Sequence, residues 1–217
     1  MSLNIIDHPK IQCWRKRVEA NGNIIKNIEV LATISRSEAS LFGAVLDCQL
    51  LTPEGVKVSR CVMVFGDSVA IIPVLTCSDD GEVYTLMVEQ RRIVDGDYSR
   101  EFPSGGIETG GDPKVSACNE IREELHLTVL PKELISLKPN PIKASSSILG
   151  DLVYYYYFER NVSLSFLKEI DGRSTGCHEE NEFIHVRVLK MSEASDVLTI
   201  AALTGIKLLE KKLGRVF

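Results

Sequence analysis

Residues 105–127, the most informative segment of the chain, read Gly105-Gly106-Ile107-Glu108-Thr109-Gly110-Gly111-Asp112-Pro113-Lys114-Val115-Ser116-Ala117-Cys118-Asn119-Glu120-Ile121-Arg122-Glu123-Glu124-Leu125-His126-Leu127. Its four glycines make a loop that can approach other groups closely and adopt unusual φ values, so a carbonyl there can face a phosphate or a metal ion. Asp112 then suits a helix N-cap, and Pro113 a first helical residue, where the missing N–H forfeits no hydrogen bond. Val115, Cys118, Ile121 and Leu125 recur at helical spacing and predict one apolar stripe, with Pro131 marking the end. At about 100° per residue, Glu120, Glu123 and Glu124 crowd roughly one third of the circumference opposite that stripe. Like charges so spaced cost about 0.2–0.5 kcal/mol per pair and call for a compensating cation. Oxygen-only ligands suit Mg2+ or Mn2+. Alone, three glutamates on a helix are equally a solvated acidic face. The glycine-rich loop that delivers them shifts the reading toward a site.

Outward from this segment the composition is that of an ordinary globular chain: 217 residues, 44% apolar and 25% charged. The net charge of −5 gives no field that attracts nucleic acid. No apolar run approaches the ~20 residues of a membrane helix, and the first residues lack a basic region followed by a hydrophobic stretch and a cleavage site. A cytoplasmic protein with no nucleic-acid or membrane partner is expected. Six scattered cysteines without a C-x-x-C pair read as reduced thiols, most of them small buried hydrophobes.

Strand-like runs at 42–51 and 56–64 flank the turn residues Thr52-Pro53-Glu54-Gly55, and runs at 69–75 and 83–88 flank Ser78-Asp79-Asp80-Gly81. Residues 152–158 and 183–189 are further strands. Tyr154 to Tyr157 predict one buried and one exposed strand face in preference to an adenine cradle, while Trp14 is another ring able to stack on a base. From Asp196 onward, Leu198, Ala202, Ile206, Leu209 and Leu213 share a helical face that Gly214 can cap. Strands first and helices later predict an α+β fold with a mixed sheet covered by helices.

Residues 105–127 resemble the Nudix box: Gly, five residues, Glu, seven residues, Arg-Glu-apolar-x-Glu-Glu-x-Gly-apolar. Gly105, Glu120, Ile121, Glu123, Glu124 and Leu127 match it, whereas Gly111, Asn119 and His126 replace a Glu, an Arg and a Gly. Glu89-Gln90-Arg91-Arg92, Glu101-Phe102-Pro103-Ser104-Gly105 and the later segment 176–188 are similar to ADP-ribose and ADP-sugar diphosphatases, the plant-type enzymes above all. The resemblance implies the Nudix α/β/α sandwich at 66–217. It also implies an N-terminal β-strand region at 1–65 that pairs two subunits as a homodimer. It implies hydrolysis of the diphosphate bond of ADP-ribose or an ADP-sugar such as ADP-glucose, giving AMP and a sugar phosphate. The metal ligands implied are the Ser104 carbonyl, Glu120, Glu123 and Glu124. Arg92, and more weakly Arg91, would bind a phosphate, with Glu101 beside the metal site. Glu182 or Glu180 would be the general base, with Glu123 also close to the chemistry. The alternatives are a catalytically weak nucleotide-sugar binding or sensor module, motivated by the three departures, and a hydrolase of another nucleoside diphosphate derivative.

Overall fold

The computed structural model describes residues 4–37, 40–94, 96–176, 183–196 and 199–217, and the chain divides into two compact units. The first comprises Met1–Ser68, Gly106–Gly111 and Ile142–Val153. Its helix α1 (Pro9–Ala20) begins where Pro9 takes the first position and His8 accepts the Lys10 N–H at 3.3 Å. The N-terminal region expected as strands thus begins with a helix. Strands β1 (Ile24–Ser37), β2 (Ser40–Leu51) and β3 (Lys57–Val64) form a three-stranded antiparallel sheet in that order. Ile11, Trp14, Ala44, Leu46, Cys48 and Val64 are its buried core. Trp14 therefore belongs to packing: its Cδ1 lies 2.5 Å from where a Cβ on Gly150 would stand. Two carboxylates fasten the unit. Asp67 pairs with Arg17 at 2.6 Å, and buried Asp151 accepts the Phe65 and Gly66 N–H groups.

The second unit comprises Val69–Gly105, Asp112–Pro141 and Tyr154–Phe217. Its sheet is built on β4 (Ser68–Cys77) and β5 (Val83–Arg91), a hairpin closed through Asp80-Gly81, where Gly81 takes φ 75°. β4 is apolar almost throughout and is buried almost throughout, as a central strand requires. Pro73 within it cannot donate, and the Thr85 hydroxyl satisfies its carbonyl at 2.7 Å. Further along come β6 (Tyr98–Glu101), β7 (Ser104–Gly106), β8 (Ile135–Ser136), β9 (Ile142–Lys143), β10 (Leu152–Val162), β11 (Ser174–Thr175) and β12 (Ile184–Lys190). The strand order is β11-β12-β5-β4-β10-β8, with β6 added to β5 and β7 to β4; β9 pairs with Leu152 and Val153 at the start of β10, a ladder that falls within the first unit. Helices α2 (Pro113–Leu125), α3 (Leu164–Ile170) and α4 (Ile200–Leu213) complete the expected α+β fold with a mixed sheet.

Several local expectations change. Tyr155, Tyr156, Tyr157 and Phe158 are all buried, so β10 has no exposed tyrosine face; the strand is covered on both sides. α4 packs so closely that a Cβ on Gly205 would lie 3.0 Å from Ile72, and Gly214 ends it at φ 67° as expected, while Leu198 lies outside the described residues. α3 is a second helix the periodicity did not reveal, being only seven residues long. Of the five described cysteines, all free, only Cys48 and Cys77 are buried.

Candidate active site

Helix α2 starts as its sequence dictates. Asp112 accepts the Lys114 and Val115 N–H groups at 2.7 and 3.4 Å, with Pro113 in the first turn. Its buried face is Ala117, Ile121, Glu124 and Leu125, which corrects the predicted stripe: Val115 is 49% exposed, and Glu124 is 6% exposed among the apolar residues instead of opposite them. The helix also stops at Leu125, well before Pro131, because His126 turns into the left-handed region at φ 53°.

A buried carboxylate needs partners, and Glu124 finds one in the Ser104 N–H at 2.9 Å. Beside it, a Cβ on Gly105 would stand 1.9 Å from a carboxylate oxygen of Glu120. The Glu120 carboxylate fills the space that a side chain at 105 would take, so any larger residue there has to push that carboxylate aside. Two carboxylates thus converge on the Ser104–Gly105 backbone of β7. Glu123 does not join them; its side chain is 52% exposed and lies 3.7 Å from Arg122, a surface pair of little energetic weight. Among the described residues no three His, Cys, Asp or Glu side chains are gathered as a metal group. The donor set nonetheless fits a hard divalent cation, being all oxygen, with Glu120 and Glu124 against one backbone turn and Glu123 on the adjoining face.

The two candidate arginines, the last residue of β5 and the first of the turn after it, meet different partners. Arg92 gives Glu101 a two-pronged pair, Nε at 2.8 Å and Nη2 at 2.7 Å. Arg91 lies over the Tyr98 ring at 4.6 Å and donates to the Gly96 carbonyl. Burial pushes the Glu101 carboxyl up, but the hydrogen bonds and charge of Arg92 outweigh it and hold the pKa below the ordinary glutamate value. Glu180 and Glu182 lie outside the described residues.

Residues 66–210 match the NUDIX domain family, which is more than half of the chain. The chain belongs to the Nudix family. Nudix hydrolase 14, chloroplastic, of Arabidopsis thaliana is 27% identical over 147 residues, 64% of this chain, and the chain spans about half (47%) of that relative's length. A solved ADP compounds hydrolase shares the fold with TM-score 0.59 and 18% identity, over 89% of this chain and 97% of that one.

Two departures from the Nudix box have local reasons. At Gly111 a Cβ would stand 2.9 Å from the Glu108 carbonyl oxygen, which accepts the Gly111 N–H at 2.7 Å; the turn has no room for the box glutamate. At position 126 the Nudix glycine suits a left-handed cap, and His126 adopts that cap regardless. Asn119 is exposed, and nothing in the structure explains it.

Two features of the Nudix domain were missed in the sequence. Glu89, 9% exposed, is held by Arg100 at 2.8 Å and Arg187 at 2.6 Å; the hydrogen bond from Arg187 outweighs burial and, with Arg100, lowers its pKa. Thr175, 3% exposed, donates its hydroxyl to the Glu124 carbonyl at 2.6 Å. Register in β5, β6 and β12 would have revealed the first; no local signal marks the second. The cavity of about 550 Å³ lined in part by Lys26, Gln49, Lys57 and Ser59 contains none of these residues.

Proposed function

We propose that the protein hydrolyses the diphosphate bond of ADP-ribose or of an ADP-sugar such as ADP-glucose, releasing AMP and a sugar phosphate. The observation that carries this reading is the convergence of Glu120 and Glu124 on Ser104–Gly105. Family membership supports it, as do the similarity to a Nudix hydrolase and the fold shared with an ADP compounds hydrolase.

Ser104 through its carbonyl, with Glu120, Glu123 and Glu124, would hold Mg2+ or Mn2+. Such a cation, when bound, polarises phosphoryl oxygens and acidifies a water. Glu124 is fixed by burial and by Ser104, so it is the preorganised member of the set. Glu123, exposed, is the member of the set that packing does not fix. Arg92 is the phosphate-binding group, the plane of its guanidinium fixed by the two-pronged pair with Glu101. Arg91, turned to Tyr98, is the lesser candidate. Glu182 or Glu180 takes the proton from water, supplied by the segment between Gly176 and Phe183.

The test is AMP release from ADP-ribose and ADP-glucose with Mg2+ by the purified protein. Activity abolished in Glu124→Gln is the expected result, and no AMP above that control overturns the reading. The exposed position of Glu123 favours one second reading, a nucleotide-sugar binding module. Tight calorimetric binding with turnover at background would establish it.

A further inference from the structure

An α-helix leaves its last four carbonyls without helical partners, and what satisfies them fixes how its end sits. At the end of α2 two of these carbonyls are satisfied from another part of the chain: the Thr175 hydroxyl donates to the Glu124 carbonyl at 2.6 Å, and the Gly176 N–H donates to the Glu123 carbonyl at 3.3 Å. Thr175 is 3% exposed and lies on β11, a two-residue strand that pairs with β12 through Thr175 opposite Ile184. Glu124 is therefore held at both ends, its backbone by Thr175 and its carboxylate by the Ser104 N–H.

We infer that Thr175 is a positioning residue for the metal-binding carboxylates of α2, an inference that rests on the hydrolase reading above. The helix end closes by bonds from the His126 and Leu127 N–H groups to the Ile121 carbonyl, a geometry that includes a strained left-handed histidine. It leaves the Glu123 and Glu124 carbonyls to the β11 strap. Removing the hydroxyl leaves the Glu124 carbonyl without this partner in a dry setting, and the helix end relaxes to find another. A shift of the Glu124 backbone carries its carboxylate away from Ser104–Gly105, where Glu120 already lies in contact with the glycine.

Mn2+ binding to the whole protein, read by electron paramagnetic resonance, tests the inference without reference to turnover. Thr175→Val keeps the side-chain shape and removes the hydroxyl; Thr175→Ser restores it. The expected result is Mn2+ affinity weakened about tenfold to a hundredfold in Thr175→Val and near wild type in Thr175→Ser. The Mg2+ concentration for half-maximal AMP release should rise in parallel while KM for ADP-ribose at saturating Mg2+ changes little. Thr175→Ala, which lacks the same hydroxyl, replaces Thr175→Val if the latter does not fold. Folded Thr175→Val or Thr175→Ala protein that binds Mn2+ as wild type overturns the positioning role alone, as does equal loss in the serine variant. Wild-type protein that binds no Mn2+ overturns the metal reading and this inference with it.

Discussion

Gly105 and Gly106 stand side by side, yet only the first is constrained by a functional group. A methyl at 105 would collide with the Glu120 carboxylate, whereas nothing lies within 4 Å of a Cβ at 106. Gly105→Ala should therefore displace Glu120 and lower kcat for AMP release about a hundredfold, the scale of an ångström misplacement at a reacting centre. Gly106→Ala should stay within about twofold of wild type, given an open position at negative φ. Equal kinetics for the two variants would show that Glu120 takes no part. At the same scale, the Arg92–Glu101 pair makes a claim about acid. Glu101 titrates below the ordinary glutamate value, so the folded state holds fewer protons there than the unfolded chain. The stability this contributes is fully present above the unfolded value and is lost as pH falls through the lowered folded value. Thermal midpoints between about pH 7 and pH 3 should thus fall less steeply for Glu101→Gln than for wild type.

At the scale of the element, α2 shows how local rules and tertiary demands divide a helix. Its start was readable because an N-cap and a first-turn proline act through neighbours one to three positions away. Its buried face was not, since periodicity places apolar residues but does not say that a carboxylate will be drawn in by a backbone N–H from another strand. Glu124 went inside and Val115 outside for that reason. Its end was misplaced too, because a histidine in the left-handed region carries no stop signal in sequence. His126 is the only non-glycine residue at positive φ among the described residues, and it is exposed. His126→Gly should relieve that strain and raise stability by about 1 kcal/mol, seen as a higher denaturant midpoint at unchanged slope. The box pattern and the backbone angle here agree that the position favours glycine.

For the molecule as a whole, the three-stranded sheet of the first unit is the part whose role is least explained by one chain. Ile24, Leu31 and Ile34 on β1 are 53%, 53% and 43% exposed. Leu31 lies at a register shift between Val30 opposite Leu46 and Ala32 opposite Val45, where a strand surrenders regular pairing. We expect this sheet to pair subunits, so light scattering at micromolar concentration should give the dimer mass and Leu31→Lys should shift it toward monomer. A monomer mass for the wild-type protein would refute the assignment.

The α+β class, the two hairpins, the N-cap of α2 and the gathering of the glutamates on one helix were legible in the sequence alone, because these depend on interactions a few residues long. Tertiary packing alone shows that Glu124 is buried against Ser104, that Glu120 fills the space a side chain at Gly105 would take, that Arg92 and not Arg91 meets Glu101, and that Thr175 closes the helix end. The physical reason is common to all four. Each is a contact between residues of different elements, and which side chain meets which neighbour is set by packing that no local pattern records.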